Sequence, residues 1–213
     1  MTSLAELGFI EGGVVEVLVS TVDREGKPNL AAMGAGLERG HVVLRPFKDT
    51  KTYSNLSSTK EAVLNLTDDP ALFAYAALKL KCVEASFEPS KFVTPPRVKE
   101  AYGFVEVLVE RSLDEGGRGR FECRPLVVEV RAEAKRAEAY CRAKPAVIEA
   151  LVHASRLEAY VKHGLSVKEL VKLIEHYRAL VHRVAPKTRY AELIDEVWRW
   201  SEAKLRGLGV HGG

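Results

Sequence analysis

The segment VVEVLVSTV at residues 14–22 decides the fold of the first part of the chain. It is rich in β-branched residues, which favours a strand, and the turn cluster DREGKP at residues 23–28 follows it. Two further strands are predicted directly afterwards, Asn29–Leu37 and His41–Phe47, with a short turn at residues 38–40. Strands joined by such short turns are antiparallel, since parallel neighbours need long crossovers. The first 47 residues therefore predict an antiparallel meander.

Three more strands are predicted before residue 131. They are Ala62–Leu66, Phe104–Glu110 and Phe121–Val130, and the last two flank the turn-rich segment DEGGRG at residues 114–119. Valine and glutamate alternate in Phe104–Glu110, so apolar side chains lie on one face of that strand and carboxylates on the other. Six short strands with such turns predict a small closed or partly closed barrel.

The spacing of apolar residues changes after about residue 132. Apolar side chains then recur every three or four positions, which is typical of amphipathic helices, and Gly164 and Pro186 mark breaks between them. We therefore predict an α+β fold, in which an antiparallel, Greek-key-like barrel is followed by a helical subdomain. The expected boundaries are 1–135 for the barrel, 136–206 for the helices and 207–213 for a flexible tail.

The composition excludes several classes of protein. The chain has 213 residues, and 46% of them are hydrophobic, too many for a disordered chain. It contains no uncharged apolar run of about 20 residues, the length that spans a membrane. Its first residues lack the layout of a secretory signal, so we expect a cytoplasmic protein. The chain has no Gln and only three Asn beside many Lys, Arg and Glu, a bias that predicts a thermophilic source.

Cysteine, histidine and charge indicate no specialised site. The three cysteines form no CxxC pair and the six histidines no HExxH spacing, so neither a disulfide framework nor a metal site is expected. Residues 1–140 carry a net charge of −2, and residues 141–213 carry +5. The basic part allows binding to nucleic acid. Its charges alternate in sign, however, and solvated helix faces explain them better.

The segment LRPFKDTKTYSNL at residues 44–56 is the most informative for chemistry. A strand is predicted to end at Phe47, and a helix to begin near Thr52. A helix N-terminus offers unpaired backbone N–H groups and a partial positive charge, and this loop adds cations and hydroxyls, so it is equipped to bind a phosphate. The alternative is that Asp49, Thr50 or Thr52 caps the helix and the cations are surface charges.

The strand before this loop, NLAAMGAG at residues 29–36, consists mostly of small residues. Small side chains let a flat ligand approach the backbone and exchange hydrogen bonds with it. A tight barrel corner, which needs Gly and Ala for closure, explains the composition equally well. Taken together, strand and loop indicate a planar ring beside one strand and its phosphate at the next loop.

These motifs resemble those of a known family. Their order in the chain is GKPN (26–29), AAMG (31–34), RPFK (45–48), TYSNL (52–56) and VLNLTDD (63–69). This order is similar to the FMN-binding split-barrel flavoproteins, and more narrowly to an archaeal and planctomycete family of unassigned function. The helical segment RAKPAVIEALVHASRL (142–157) also resembles that family. The resemblance implies a split barrel related to flavin reductases and pyridoxamine-phosphate oxidases, and a homodimer with FMN near the subunit interface.

The resemblance also assigns residues to the flavin by position. The strand residues expected beside the isoalloxazine ring are Ala31, Ala32, Met33 and Gly34. The residues expected along the ring edge are Arg45, Pro46 and Phe47, and those expected at the ribityl phosphate are Lys48, Thr50, Thr52 and Asn55. Arg45 is the candidate cation near the N1/O2 edge, where positive charge stabilises the anionic reduced flavin. Pairing of Arg45 with Asp49 or Asp68 is the alternative.

The implied function is that of an FMN-dependent oxidoreductase on an unidentified small substrate, or of a flavin reductase that uses a nicotinamide donor. The flavin would supply the redox chemistry while the protein binds and orients it, and no catalytic residue is predicted. Two alternatives stay open at this point. One is a carrier of flavin or another phosphorylated ligand without turnover, and the other is a nucleic-acid-binding module that uses the basic helical part.

Overall fold

The structure is a computed structural model that describes residues 3–79, 84–132 and 138–209. The chain divides into two compact units, Met1–Tyr140 and Cys141–Gly213. The strands of the first unit are β1 (Val14–Val22), β2 (Pro28–Glu38), β3 (His41–Leu44), β4 (Glu61–Leu66), β5 (Phe87–Glu88), β6 (Arg97–Val98), β7 (Gly103–Glu115) and β8 (Arg118–Val130). Its helices are α1 (Lys51–Thr59) and α2 (Pro70–Leu78).

Six of these strands form a closed antiparallel barrel in the order β1-β2-β3-β8-β7-β4. The first three are the predicted meander, and β4 pairs with both β7 and β1 to complete the ring. β5 and β6 form a separate two-stranded sheet that the sequence did not predict. The predicted fold class, an antiparallel barrel followed by helices, is confirmed.

The strands differ from the prediction mainly in two places, the end of β3 and the turn between β7 and β8. β3 ends at Leu44 instead of Phe47, because Pro46 has no N–H to continue the ladder, and Phe47 makes only an isolated bridge to Arg118. The turn between β7 and β8 is tighter than the predicted 114–119, since the strands pair from Glu115 and Arg118 onwards. Gly116 has φ +72° in this turn, a left-handed conformation that glycine adopts without strain.

Apolar side chains from several strands fill the barrel. Val19 is paired with Leu64, and Leu64 with Val105, so these three side chains share one face of the sheet. Leu44 is paired with Phe121 further round the barrel. All five side chains are at most 1% exposed, and burial of each is worth about 1.5–3 kcal/mol. The barrel interior is therefore a packed core.

The opposite face of the sheet is covered as well. Leu18 and Phe104 lie there and pack with Leu72 and Ala76 of α2. Asp69 caps α2, because its carboxylate accepts a hydrogen bond from the N–H of Ala71 at 2.8 Å. This packing fixes α2, and with it the residue that follows α2, against the outside of the barrel.

A buried ion pair holds the segment before β7 on this outer face. Glu106 of β7 is fully buried, and its Oε1 accepts hydrogen bonds from Nε (2.9 Å) and Nη2 (2.6 Å) of Arg97. Glu106 also accepts hydrogen bonds from the backbone N–H groups of Lys91 and Phe92, each at 2.8 Å. The alternation in β7 predicted the face of this carboxylate, but not that a connecting segment covers it.

The second unit consists of helices. Its elements are α3 (Ala143–Ala154), α4 (Leu157–Lys162), α5 (Lys168–Val184) and α6 (Arg189–Gly207). Ile174, Val181 and Ile194 are fully buried in its core, in keeping with the predicted amphipathic spacing. No helix in the described ranges is both long and apolar enough to cross a membrane.

Candidate functional site

Helix α1 begins directly after the loop that follows β3. Thr50 is its N-cap: the Thr50 hydroxyl accepts a hydrogen bond from the N–H of Tyr53 (3.3 Å) and donates one to the carbonyl of Phe47 (2.7 Å). Within the part of the chain that the structure describes, the N–H groups of Lys51 and Thr52 have no hydrogen-bond partner. The structure is therefore compatible with both interpretations of this loop, the helix cap and the phosphate site. Thr50 caps the helix, and two N–H donors remain at its positive end.

Buried polar side chains fix α1 to the barrel. Thr52 and Asn55 are 3% and 5% exposed. Nδ2 of Asn29 in β2 donates to Oγ1 of Thr52 (3.2 Å), and Nδ2 of Asn55 donates to Oγ1 of Thr21 in β1 (3.0 Å). Thr52 and Asn55, both predicted at the phosphate, therefore position the helix in addition to any contact with a ligand.

An open groove of about 520 Å³ lies beside α1. One side of it is the turn between β1 and β2, residues 23–25, and the other side is α1 together with Lys48. The α1 residues that line it all carry polar groups: Tyr53, Ser54, Asn55, Ser57 and Ser58. The volume is typical of small-molecule sites, and the lining offers many hydrogen-bonding groups.

The small-residue strand β2 has an open edge. Residues 28–36 of β2 pair with β1, whereas β3 pairs only with residues 35–38. Backbone groups alternate along a strand, so Leu30, Ala32 and Gly34 direct their N–H and C=O groups to the same side. The Leu30 carbonyl accepts a hydrogen bond from a lysine on that side. The backbone groups of Ala32 and Gly34 therefore face a side that no strand of the described residues covers.

The predicted ring-side residues Ala31, Ala32, Met33 and Gly34 are all partly exposed. A Cβ added to Gly34 would lie 2.7 Å from Cγ1 of Val14, so a larger residue there would force the Val14 side chain or β2 to shift. Barrel closure thus explains Gly34. The other three residues lie beside the open edge with small or flexible side chains.

Arg45 belongs to a network of ion pairs. Its Nη2 lies 2.9 Å from Oε1 of Glu38, and its Nε lies 3.1 Å from Oε2 of Glu115. Arg120 also binds Glu38, at 2.7 Å. Hydrogen bonds from Arg120 and then Arg45 lower the pKa of Glu38 to about 2. Arg45 therefore pairs with two glutamates and not with Asp49 or Asp68, and its expected place near the N1/O2 edge of the flavin stays a prediction.

Pro46, Phe47 and Lys48 lie where the loop meets the β7–β8 hairpin. Pro46 is buried, whereas Phe47 is 51% exposed, with the Arg118 guanidinium carbon 3.9 Å from its ring centroid. Nζ of Lys48 lies 2.6 Å from Oδ2 of Asp114. Both side chains are solvent-exposed, and such pairs contribute only about 0–1 kcal/mol. Lys48 can therefore exchange this partner for a bound anion at little cost.

Lys79 is a neighbour of this site that the sequence did not reveal. It is the C-cap of α2, and its Nζ donates to the carbonyls of Leu30 and Ala76. Burial, and after it the charge of Lys51, hold the pKa of the Lys79 ammonium below its usual range. Since 49 residues separate Lys79 from Leu30, no local motif marks this contact.

The described residues hold no evident metal cluster, and the thiol of Cys123 is unreactive. They contain no group of three or more His, Cys, Asp or Glu side chains suited to a metal ion. Burial raises the pKa of the Cys123 thiol to about 12, so this thiol is not a nucleophile at neutral pH.

Two regions of the chain match the profiles of one protein family. Residues 15–132 match the N-terminal domain of DUF447, described as a protein of unknown function, and residues 141–196 match its second region. The chain belongs to the DUF447 family. This confirms the family resemblance that the motifs between residues 26 and 69 and the helical segment indicated.

Solved structures share the DUF447 chain's fold. An FMN-bound DUF447 protein from Methanosarcina mazei is 24% identical, with coverage of 93% of this chain and 100% of that chain and a TM-score of 0.54. Flavoredoxin of Desulfovibrio vulgaris (Miyazaki F) is 19% identical, with coverage of 60% and 75% and a TM-score of 0.51. A putative flavin reductase with a split-barrel domain from Shewanella frigidimarina is 17% identical, with 61% and 73% coverage and a TM-score of 0.51. These likenesses confirm the split-barrel fold, and a comparison with curated proteins gave no match.

Proposed function

We propose that this DUF447 protein binds FMN and acts as an oxidoreductase of the flavin-reductase type. The observation that carries the proposal is that the cationic start of α1 lies close to the open edge of β2. Asn29 of β2 connects the two through its hydrogen bond to Thr52 of α1. The FMN-bound state of the Methanosarcina mazei member of the family supports FMN as the ligand. The Shewanella frigidimarina protein, described as a putative flavin reductase with a split-barrel domain, supports the reaction class.

The donors at the start of α1 fit a phosphate. The free N–H groups of Lys51 and Thr52 point out of a helix N-terminus, which favours an anion. Lys48 adds an ammonium group whose present partner is an exposed aspartate. Together these groups suit the ribityl phosphate of FMN, while the Thr50 hydroxyl, whose proton goes to the Phe47 carbonyl, caps the helix.

The open edge of β2 fits the isoalloxazine ring. The pyrimidine part of that ring carries both hydrogen-bond donors and acceptors along one edge. The backbone N–H and C=O groups of Ala32 and Gly34 supply the complementary groups, and the small side chains of Ala31 and Ala32 let the ring approach. When bound, FMN supplies hydride and electron transfer, while the chain binds it, orients it and limits its contact with water.

Titration of the full chain with FMN, followed by flavin fluorescence, tests the binding. We expect saturable binding, and we expect the double variant Lys48→Met/Lys51→Met to bind FMN at least about tenfold more weakly, because charged hydrogen bonds to the phosphate are lost. The matched control is Lys60→Met/Lys99→Met, which removes two lysines elsewhere in the same unit. Equal binding by the two double variants would place the phosphate elsewhere.

Anaerobic mixing with NADH or NADPH separates an enzyme from a carrier. An oxidoreductase of the proposed type loses the visible absorbance of bound FMN when it accepts a hydride from one of these donors. A carrier retains the absorbance with both donors. The experiment requires only the loaded full chain and a stopped-flow spectrophotometer.

The remaining expectations concern assembly and environment. The family resemblance implies a homodimer with FMN near the subunit interface, and light scattering of the purified chain measures the assembly directly. A cytoplasmic location and a thermophilic source stay predictions from composition. The ion-pair network around Glu38 is of the kind that stabilises proteins at high temperature, so a high midpoint of thermal unfolding is expected.

A further inference from the structure

Lys51 and Lys79 are two cations from different helices that lie near each other, and neither has a counter-ion among the residues that the structure describes. The positive charge of Lys51 helps to lower the pKa of the Lys79 ammonium. Across residues 3–79, 84–132 and 138–209, neither lysine has a carboxylate within ion-pair distance, whereas many other lysines and arginines of the first unit do. Like charges held together in this way destabilise a fold unless an anion compensates them.

The Lys79 ammonium is held in place before any ligand arrives. It donates to the carbonyls of Leu30 and Ala76, and it lies 5.6 Å from the ring centroid of Tyr75. Although much of the residue is exposed, the ammonium itself is partly desolvated, which strengthens its attraction for an anion. An ammonium has three N–H donors, so one remains after the two carbonyls are satisfied. Lys79 is thus ready to bind with little further loss of conformational entropy.

The position of Lys79 relates it to the proposed phosphate site. Leu30, which accepts the hydrogen bond from Lys79, is adjacent to Asn29, and the Asn29 amide reaches Thr52 in the first turn of α1. Lys51 belongs to that same turn. The two ammonium groups therefore approach the start of α1 from α1 itself and from the open edge of β2.

We infer that Lys79 and Lys51 together bind the phosphate of FMN and make the protein prefer FMN over riboflavin. This inference rests on the proposed function. A phosphate carries nearly two negative charges in either redox state of the flavin, which matches two ammonium groups, whereas the oxidised ring is neutral. Lys79 acts here as a specificity-determining residue, and it lies outside the loop that the sequence marked.

The test compares FMN with riboflavin on the full chain. Lys79→Met is expected to weaken FMN binding by about 10- to 100-fold, the loss of one charged hydrogen bond, and to change riboflavin binding by less than about twofold. The matched control is Lys60→Met, because Lys60 is the C-cap of α1 and has the same left-handed conformation, with φ +63° against +55°. This control is expected to leave both affinities unchanged, and Lys79→Arg, which keeps the charge, is expected to retain the preference for FMN.

Two readouts do not depend on flavin. Inorganic phosphate is expected to compete with FMN on the unsubstituted protein and to compete more weakly on the Lys79→Met variant. Without ligand, Lys79→Met is expected to unfold at about the same urea concentration as the parent, since relief of the like-charge contact offsets the loss of the hydrogen bonds to Leu30 and Ala76. If Lys79 were needed only for the fold, its replacement would lower the urea concentration at which the protein unfolds.

The outcomes separate this inference from the proposed function. If the parent chain binds neither flavin, the proposed function fails and the inference fails with it. If the parent prefers FMN and Lys79→Met keeps the same preference, the inference alone is overturned. An equal loss of FMN and riboflavin binding on Lys79→Met also overturns it, because the lysine would then act on the ring or on the fold.

Discussion

Replacement of Gly119 by alanine tests whether close packing of Tyr53 on β8 holds the start of α1. A Cβ at this position would lie 2.8 Å from Cδ2 of Tyr53 and 2.9 Å from Cε2 of Phe121, whereas carbon atoms in contact lie about 3.5–4.0 Å apart. The two rings also meet edge-on, with centroids 5.6 Å apart. The Tyr53 ring therefore has to move by roughly 1 Å, and the first turn of α1 moves with it.

The expected cost follows from these contacts. An extra carbon in a packed site costs about 1–3 kcal/mol, and disruption of the aromatic pair adds part of its worth of about 0.5–1.5 kcal/mol. We therefore expect Gly119→Ala to lower the free energy of unfolding by about 2–3 kcal/mol. Urea denaturation measures this as a lower midpoint with an unchanged m-value.

Two further variants isolate the cause. Gly117 lies two residues away in the same hairpin and has no atom within 4 Å of an added Cβ, so Gly117→Ala is expected to change stability by less than about 0.5 kcal/mol. In a Tyr53→Ala background, Gly119→Ala is expected to cost less than about 1 kcal/mol, because the main clash is gone. Equal costs at the two glycines, or a full cost without the Tyr53 ring, would refute the reasoning.

The other predictions concern two carboxylates. Glu106→Gln leaves the buried guanidinium of Arg97 with Glu129, at 3.2 Å, as its remaining charged partner in the described part of the chain. This is expected to cost about 3 kcal/mol in urea denaturation, and a cost below about 1 kcal/mol would contradict it. Glu38→Gln is expected to cost about 1 kcal/mol at pH 7, a value reduced because solvent screens this partly exposed group. Since folding lowers the pKa of Glu38 to about 2, its stabilisation is complete above the unfolded pKa and is lost as the pH falls towards 2. The stability difference between Glu38→Gln and the parent should therefore vanish near pH 2. A difference that does not change with pH would be evidence against the ion pairs of Glu38 with Arg45 and Arg120.

The parts of the fold that the sequence predicted depend on local signals. The β-branched run at 14–22, the turn at 23–28 and the helix start, predicted near Thr52 and found at Lys51, each follow from a few neighbouring residues. The expectation that this loop binds a phosphate also comes from a local signal, because a helix N-terminus and its flanking cations are adjacent in the chain, and it stays a prediction.

The parts that the sequence did not predict depend on contacts between distant segments. In the sequence, Glu106 is one carboxylate of an alternating strand. Only the folded chain shows that a connecting segment places Arg97 over it. Asn55 reads as a possible phosphate ligand, but its amide also joins α1 to Thr21, 34 residues earlier. Lys79 carries no local signal at all, because its significance lies in its approach to Leu30 of β2.

Native mass spectrometry of the purified full chain, before and after addition of FMN, tests the central claim most directly. The account predicts a species with one FMN per chain, and a smaller fraction of that species for Lys48→Met/Lys51→Met than for Lys60→Met/Lys99→Met under the same conditions. A parent chain that remains free of flavin with FMN in excess would contradict the account.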